Sequence, residues 1–217
     1  MTEISGSTID GFLDSLASRS STPGGGAAAA MTAALGAAII EMACSFAIGK
    51  NKYARSQDQL QHASDRCREI RARAIELADL DSRVFQEVMD AYRLPRDSKV
   101  RRECRKRAIS QSAETAARMP LELAELCGEL VKLGGDAAEL GNPNLVADAV
   151  GGAALARGAL RICELNVRSN LALVSDDEFV ASARRRLRHA VEASQSADVL
   201  VERYLSNDDS PEDSTNG

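Results

Sequence analysis

Residues 60–91 read "LQHASDRCREIRARAIELADLDSRVFQEVMDA". Leu60, Ala63, Cys67, Ile70, Ala74, Leu77, Asp81, Val84, Val88 and Ala91 recur at alternating steps of three and four. That spacing lays one apolar seam along a single long helix, closed by Pro95. Asp81 is the only charged member of the seam. A carboxylate carried inward loses hydration, which raises its pKa and suits it to proton transfer. The same position suits a buried Asp that pairs with an arginine or caps a neighbouring helix, and spacing alone does not separate the two readings. Asp79 lies about 200° away around the helix. It faces outward unless another helix or subunit covers that side.

Upstream, residues 21–31 read "STPGGGAAAAM". Three glycines permit unusual backbone angles and close approach of a ligand, and alanine starts a helix at once. The first N–H groups of that helix would point back at the glycines, as in an anion site. A tight turn feeding closely packed helices explains the same residues. The run 27–49 is apolar nearly all round and long enough to span a membrane, but Glu41 sits inside it and most of it is alanine. We therefore expect an enclosed core helix ending near Gly49, not a span, with a second subunit covering one side.

The rest of the chain fits that picture. Its 217 residues are 44% hydrophobic but only 3% aromatic, with no Trp, so the core must be built from small aliphatic side chains in close-packed helices. We expect a short helix within 7–19 capped by Ser7 or Thr8, and a polar link at "KNKYARSQ". A run over 98–133 should be kinked or broken at Pro120, with a loop-like interruption at "KLGGDAAELGNPN". A helix opened by Asn142 and Pro143 should reach about Val174, and a last one capped by Ser175 should reach about Leu205. No segment has strand period. The expected fold is all-α, a single-domain bundle of long helices over 1–205, with a disordered acidic tail at 206–217.

Composition also narrows function. A net charge of −5 argues against general nucleic-acid binding. Five dispersed cysteines without a C-x-x-C pair, and only two histidines, fit a reducing cytoplasmic setting with no zinc site. The N-terminus lacks the pattern of a signal peptide. "RDSKVRRECRKRAI" (96–109) holds seven basic and two acidic residues. It reads as a solvated face or as a means of steering a polyanionic small molecule, and an RNA-binding role would rest on this run alone. Asn166 and Asn170, four apart, share a face with Ile162 and Leu173. Their amides suit a polar heterocycle or helix–helix hydrogen bonds. Arg168, on another face, suits an anion contact or a salt bridge. Asp148 beside Gly151 and Gly152 is a weaker clue.

Taken in order, "STPGGGAAAA", "IGKNKY", "LADLDSRVFQEVMDAYRLP", "GNPNLVADA" and "LNVRSNL" resemble the cyclodeaminase domain of formiminotransferase-cyclodeaminase and its stand-alone relatives, the methenyltetrahydrofolate cyclohydrolases. The similarity covers residues 8–205, and the chain looks like the stand-alone form. The resemblance implies an all-helical homodimer that binds tetrahydrofolate derivatives as substrate, with no metal or redox cofactor. It implies a catalytic aspartate at Asp81 or Asp79, with the seam favouring Asp81. It also implies a pocket lined or shaped by Pro23, Gly24, Gly25, Gly26, Lys50, Lys52, Tyr53, Asn142, Asn144, Asp148, Asn166, Arg168 and Asn170. One departure stands out: the family usually has Ser where this chain has Ala27. A catalytically reduced folate-binding or scaffold protein is therefore the alternative to an active enzyme.

Overall fold

The computed structural model describes residues 4–208. It holds seven α-helices: α1 (Ile9–Ala17), α2 (Gly25–Ser45), α3 (Gln57–Arg93), α4 (Lys99–Leu140), α5 (Val146–Leu171), α6 (Asp177–Ala193) and α7 (Ser196–Asp208). Single 3₁₀ turns stand at Ile4–Gly6, Asn51–Ser56 and Pro143–Leu145. No strand occurs among the described residues.

Four helices, α2 to α5, form an up-down-up-down bundle joined by short turns. The α3 seam faces inward as its spacing requires: Leu60, Ala63, Cys67, Ile70, Ala74 and Leu77 are buried. Two bidentate pairs, Arg66–Glu129 and Arg73–Glu122, tie α3 to an antiparallel α4 at a seven-residue repeat. Such half-exposed pairs add little energy but fix register. The α2–α5 crossing depends on absent side chains. A Cβ on Gly36 would lie 2.8 Å from the Gly152 carbonyl oxygen, and one on Gly152 would lie 2.6 Å from Ile40 Cγ1. Both helices are therefore antiparallel and nearly in backbone contact. That closeness lets a core with almost no aromatics reach native packing density.

Of the two caps expected for α1, Thr8 is the one used: its hydroxyl accepts from the Gly11 N–H. Several other elements depart from the sequence reading. α2 stops at Ser45, and Gly49 makes the following turn at φ +79°. The polar link is a 3₁₀ turn held by Gln57, which accepts from the Gly49 N–H and donates to the Ala47 and Tyr53 carbonyls. α4 runs unbroken through Pro120 and through Gly134–Gly135, where a loop was expected. Gly134 is not a breaker here: a Cβ on it would lie 2.9 Å from Ala153 Cβ, so its bareness serves contact with α5. Asn142 caps the 3₁₀ turn and α5 begins only at Val146 and ends at Leu171. Asp176, not Ser175, caps α6, accepting from the Glu178 and Phe179 N–H groups.

The expected last helix is two. Buried Arg157 donates to Ser194 Oγ at 2.5 Å and to Asp198 at 3.3 Å, pinning α5 to the break between α6 and α7. α7 then continues through Asp208, past the expected start of the tail at 206, and 209–217 lie outside the described residues. α2 is the one described helix apolar and long enough to cross a membrane, and just over half of its apolar window is buried inside the bundle.

Candidate active site

The glycine loop and the α3 aspartate meet. Gly24 is the N-cap of α2 and has no side chain with which to cap it. The Asp81 carboxylate supplies the missing acceptor from across the bundle: Ala27 N–H donates to Asp81 Oδ2 at 3.2 Å. Gly26 leaves the room, since a Cβ there would lie 2.0 Å from Asp81 Oδ1. Both readings of Asp81 therefore hold at once. It caps a neighbouring helix, and it is a carboxylate drawn out of water. Burial raises its pKa, opposed in part by the Ala27 and Gly24 backbone hydrogen bonds. A carboxyl group so raised holds its proton more tightly than a free aspartate does, the direction that suits an acid–base role.

Asp79 is not simply turned to solvent. Its Oδ1 accepts from the Ile4 N–H at 2.6 Å and from the Ser5 N–H at 3.3 Å, holding the N-terminal turn against α3. Asp79 is thus bound to the N-terminal turn, whereas Asp81 is bound to the glycine loop. The partnership with Ile4 and Ser5 left no signal in the spacing, because it joins segments 75 residues apart.

Around Asp81 the third wall is α5. A Cβ on Gly25 would touch Ile162 Cγ2 at 3.7 Å, and Asn166 lies one turn further on the same face. The half-buried Asn166 side-chain amide has no hydrogen-bond partner among the described residues, so it remains able to meet a ligand. Asn170 is committed elsewhere. Pro120 has no N–H, so the Ala116 carbonyl one turn back loses its helical donor. Asn170 Nδ2 donates to that carbonyl at 3.2 Å and to its own helix at the Asn166 carbonyl at 3.0 Å. This explains how α4 passes Pro120 without breaking. Arg168 pairs with Glu164 at 2.6 Å and lines a groove of about 550 Å³ between α5 and α6, on a different face from Asn166.

The remaining sequence candidates gather at the opposite end of the bundle. Lys50, Lys52 and Tyr53 lie on the turn after α2, with Lys50 5.8 Å from the Phe46 ring centroid and Lys52 5.5 Å from that of Tyr53. Asn142, Asn144 and Asp148 lie where α4 hands over to α5. Asn142 Oδ1 accepts from the Asn144 N–H at 3.1 Å, and Asp148 stands in the first turn of α5. With its 21 residues α2 is about 30 Å long, and that length separates this group from Pro23–Gly26 and Asp81 within one chain. The basic stretch 96–109 sits at the far tip of the α3–α4 hairpin, where Arg101 pairs with Asp97 and Arg105 packs on Tyr92.

The thiols take no part in this chemistry. Cys44, Cys67, Cys127 and Cys163 are buried, and burial pushes Cys44 up to about 11 and raises Cys67 as well. Among the described residues no group of three or more His, Cys, Asp or Glu side chains is placed to hold a metal ion.

Comparison with known proteins places this arrangement. A family profile described as formiminotransferase-cyclodeaminase matches residues 8–189. A methenyltetrahydrofolate cyclohydrolase of Methylorubrum extorquens is 35% identical over 196 residues, covering 90% of this chain and 93% of that protein. A formimidoyltransferase-cyclodeaminase of Mus musculus is 28% identical over 195 residues, and there the match spans only 36% of the relative's length. The crystal structure of a formiminotetrahydrofolate cyclodeaminase from Thermotoga maritima superposes with a TM-score of 0.84 at 25% identity, over 94% of this chain and 98% of that one. The chain belongs to the formiminotransferase-cyclodeaminase family.

Proposed function

We propose that this protein is a one-carbon folate enzyme whose reacting carboxyl group is Asp81, acting on 5,10-methenyltetrahydrofolate by hydrolysis or on 5-formiminotetrahydrofolate by cyclisation. The observation that carries the reading is the half-buried Asp81 carboxylate set against the bare first turn of α2, where it accepts from the Ala27 N–H. Flat heterocycles need a wall without side chains, and Gly24–Gly26 provide one. In hydrolysis, water adds to the methenyl carbon as Asp81 takes its proton. The C–N5 bond then breaks, N5 takes up a proton, and 10-formyltetrahydrofolate forms with net release of one proton. In cyclisation, N10 adds to the formimino carbon and gives up its proton, the formimino nitrogen takes up that proton and a second one from Asp81, and ammonia leaves. In both reactions a bond to the carbon between two nitrogens forms and another breaks, each assisted by proton transfer to or from oxygen or nitrogen, and the carbon keeps its oxidation level, so the reaction is written without metal or redox cofactor.

The stand-alone relative that is matched over nearly its whole length is named as a cyclohydrolase, which favours hydrolysis as the main activity. The homodimer and the cytoplasmic setting expected from the sequence belong to this same reading, as does the absence of nucleic-acid and membrane partners. The test is direct. Purified protein should accelerate the loss of near-ultraviolet absorbance of methenyltetrahydrofolate over buffer. No acceleration, together with no ammonia from the formimino substrate, overturns the assignment.

A further inference from the structure

Arg168, which reads in the sequence as an anion contact or a salt-bridge partner, turns away from Asp81 and into the groove between α5 and α6. Arg184 and Arg188 line the same groove from α6, four residues apart and therefore on one face. Leu171, Leu187 and Val191 form its floor, the two leucines buried and the valine half-buried. At about 550 Å³, with apolar walls and a few charged groups, it has the size and make-up of a small-molecule site.

The charges in it are not balanced within the fold. Arg186, on the same helix, turns to α4 and forms a bidentate pair with Glu125. Arg184 and Arg188 have no hydrogen bond or ion pair among the described residues. Two carboxylates line the groove beside them. Glu164 is already shared between Arg161 at 2.8 Å and Arg168 at 2.6 Å. Glu192 meets only His189, at 3.8 Å. A chain of net charge −5 thus keeps an excess of guanidinium groups in one concave place, where apolar walls strengthen their field.

A guanidinium group presents paired N–H donors that match phosphate oxygens, and a flat face that stacks on rings. Two such groups from α6 and one from α5 reach a ligand from two sides, which suits a tetrahedral dianion better than a flat carboxylate. The apolar floor calls for a body attached to that anion. We propose that the α5–α6 groove binds a mononucleotide, its phosphate on Arg168, Arg184 and Arg188 and its ring on Leu171, Leu187 and Val191. Arg168 then exchanges an oxygen of Glu164 for the phosphate, while Arg161 keeps that carboxylate paired. The groove lies on a different face of α5 from Asn166, and the proposal stands without the folate reading.

Calorimetric titration of the full chain with adenosine monophosphate, adenosine and inorganic phosphate tests it. The monophosphate should bind, and adenosine and phosphate alone should each bind more weakly by about tenfold or more, since each lacks half of the contacts. No binding of the monophosphate, or equal binding of adenosine, overturns the proposal. Arg184→Gln and Arg188→Gln should each weaken the monophosphate by about tenfold with the melting temperature unchanged, because neither side chain has a partner in the fold. Arg185→Gln loses the same charge outside the groove and should change binding by less than about twofold. An equal loss in Arg185→Gln means a general charge effect and removes the site. Asp81→Asn should bind the monophosphate as wild type does. Binding lost in that variant places the nucleotide in the Asp81 pocket instead, and overturns the proposal. A tri-γ-glutamyl peptide that binds more tightly than the monophosphate, and is weakened equally by Arg188→Gln, makes the groove a carboxylate site and overturns it too.

Discussion

α2 and α3 are built on the same three-and-four spacing, yet they use it oppositely. On α3 the apolar seam is alone among charged neighbours, so it can only point inward, and it is buried from Leu60 to Leu77. On α2 nearly every position is apolar. Alanine and glycine take most of the inner face together with Ile40, and the larger Leu35, Met42 and Phe46 are left outside. The comparison teaches that burial along α2 follows closeness of approach as well as hydrophobicity. Where helices nearly touch, small side chains predominate and a larger one such as Ile40 fits only against glycines, here Gly134 and Gly152.

The sharpest way to break the comparison is at the point where the two helices meet. Asp81→Asn keeps an oxygen acceptor for the Ala27 N–H but removes the group that moves the proton. Turnover should fall by about 10²- to 10⁴-fold, as for loss of a positioned acid–base group, with the melting temperature little changed. A fall of less than tenfold in steady-state rate would remove Asp81 from the chemistry. pH gives a second readout of the same residue. Because burial raises its folded pKa, the protein binds the Asp81 proton more tightly than the unfolded chain does. Its contribution to stability is therefore greatest below the ordinary aspartate value and declines as pH rises through the folded pKa, levelling off above it. That decline should be missing from thermal melts of Asp81→Asn across the same range. Hydrolysis that needs the ionised carboxylate should gain rate over the same interval.

Next come two leucines, one from each seam. Leu77 is 1% exposed, and Leu77→Ala should cost about 2–5 kcal/mol in denaturant melts at any protein concentration. Leu35→Ala should cost less than about 1 kcal/mol within a single chain, because little surrounds that side chain. Its effect should appear as a melting temperature that depends on protein concentration, as dissociation makes it. Equal losses independent of concentration would mean that α2 has no second, intermolecular seam.

The sequence was legible wherever polarity contrast was strong. α3, a cap at Ser7 or Thr8, the Asp81 position and the all-helical class followed from spacing and composition. It was illegible where every option was apolar or where the cause lay far along the chain. The outer seam of α2 is hidden in a run of alanines, the Asp79 partners lie 75 and 74 residues away, and Gly134 and Gly135 look like a loop until α5 and α7 are laid against them. The site was half legible for the same reason. The motifs name candidate residues, and the fold sorts most of them into two groups at opposite ends of one helix.

Pro120 gives the finest test of such distant causes. It should have broken α4, and Asn170 on α5 takes up the Ala116 carbonyl that it orphans. Asn170→Ala leaves that carbonyl without its donor and should cost about 1–3 kcal/mol in denaturant unfolding. In a Pro120→Ala background the helix regains its own N–H at that position, so the same Asn170→Ala change should cost clearly less. The double-mutant cycle measures this coupling directly. If Asn170→Ala costs the same in both backgrounds, its bond to Ala116 does not compensate for the proline.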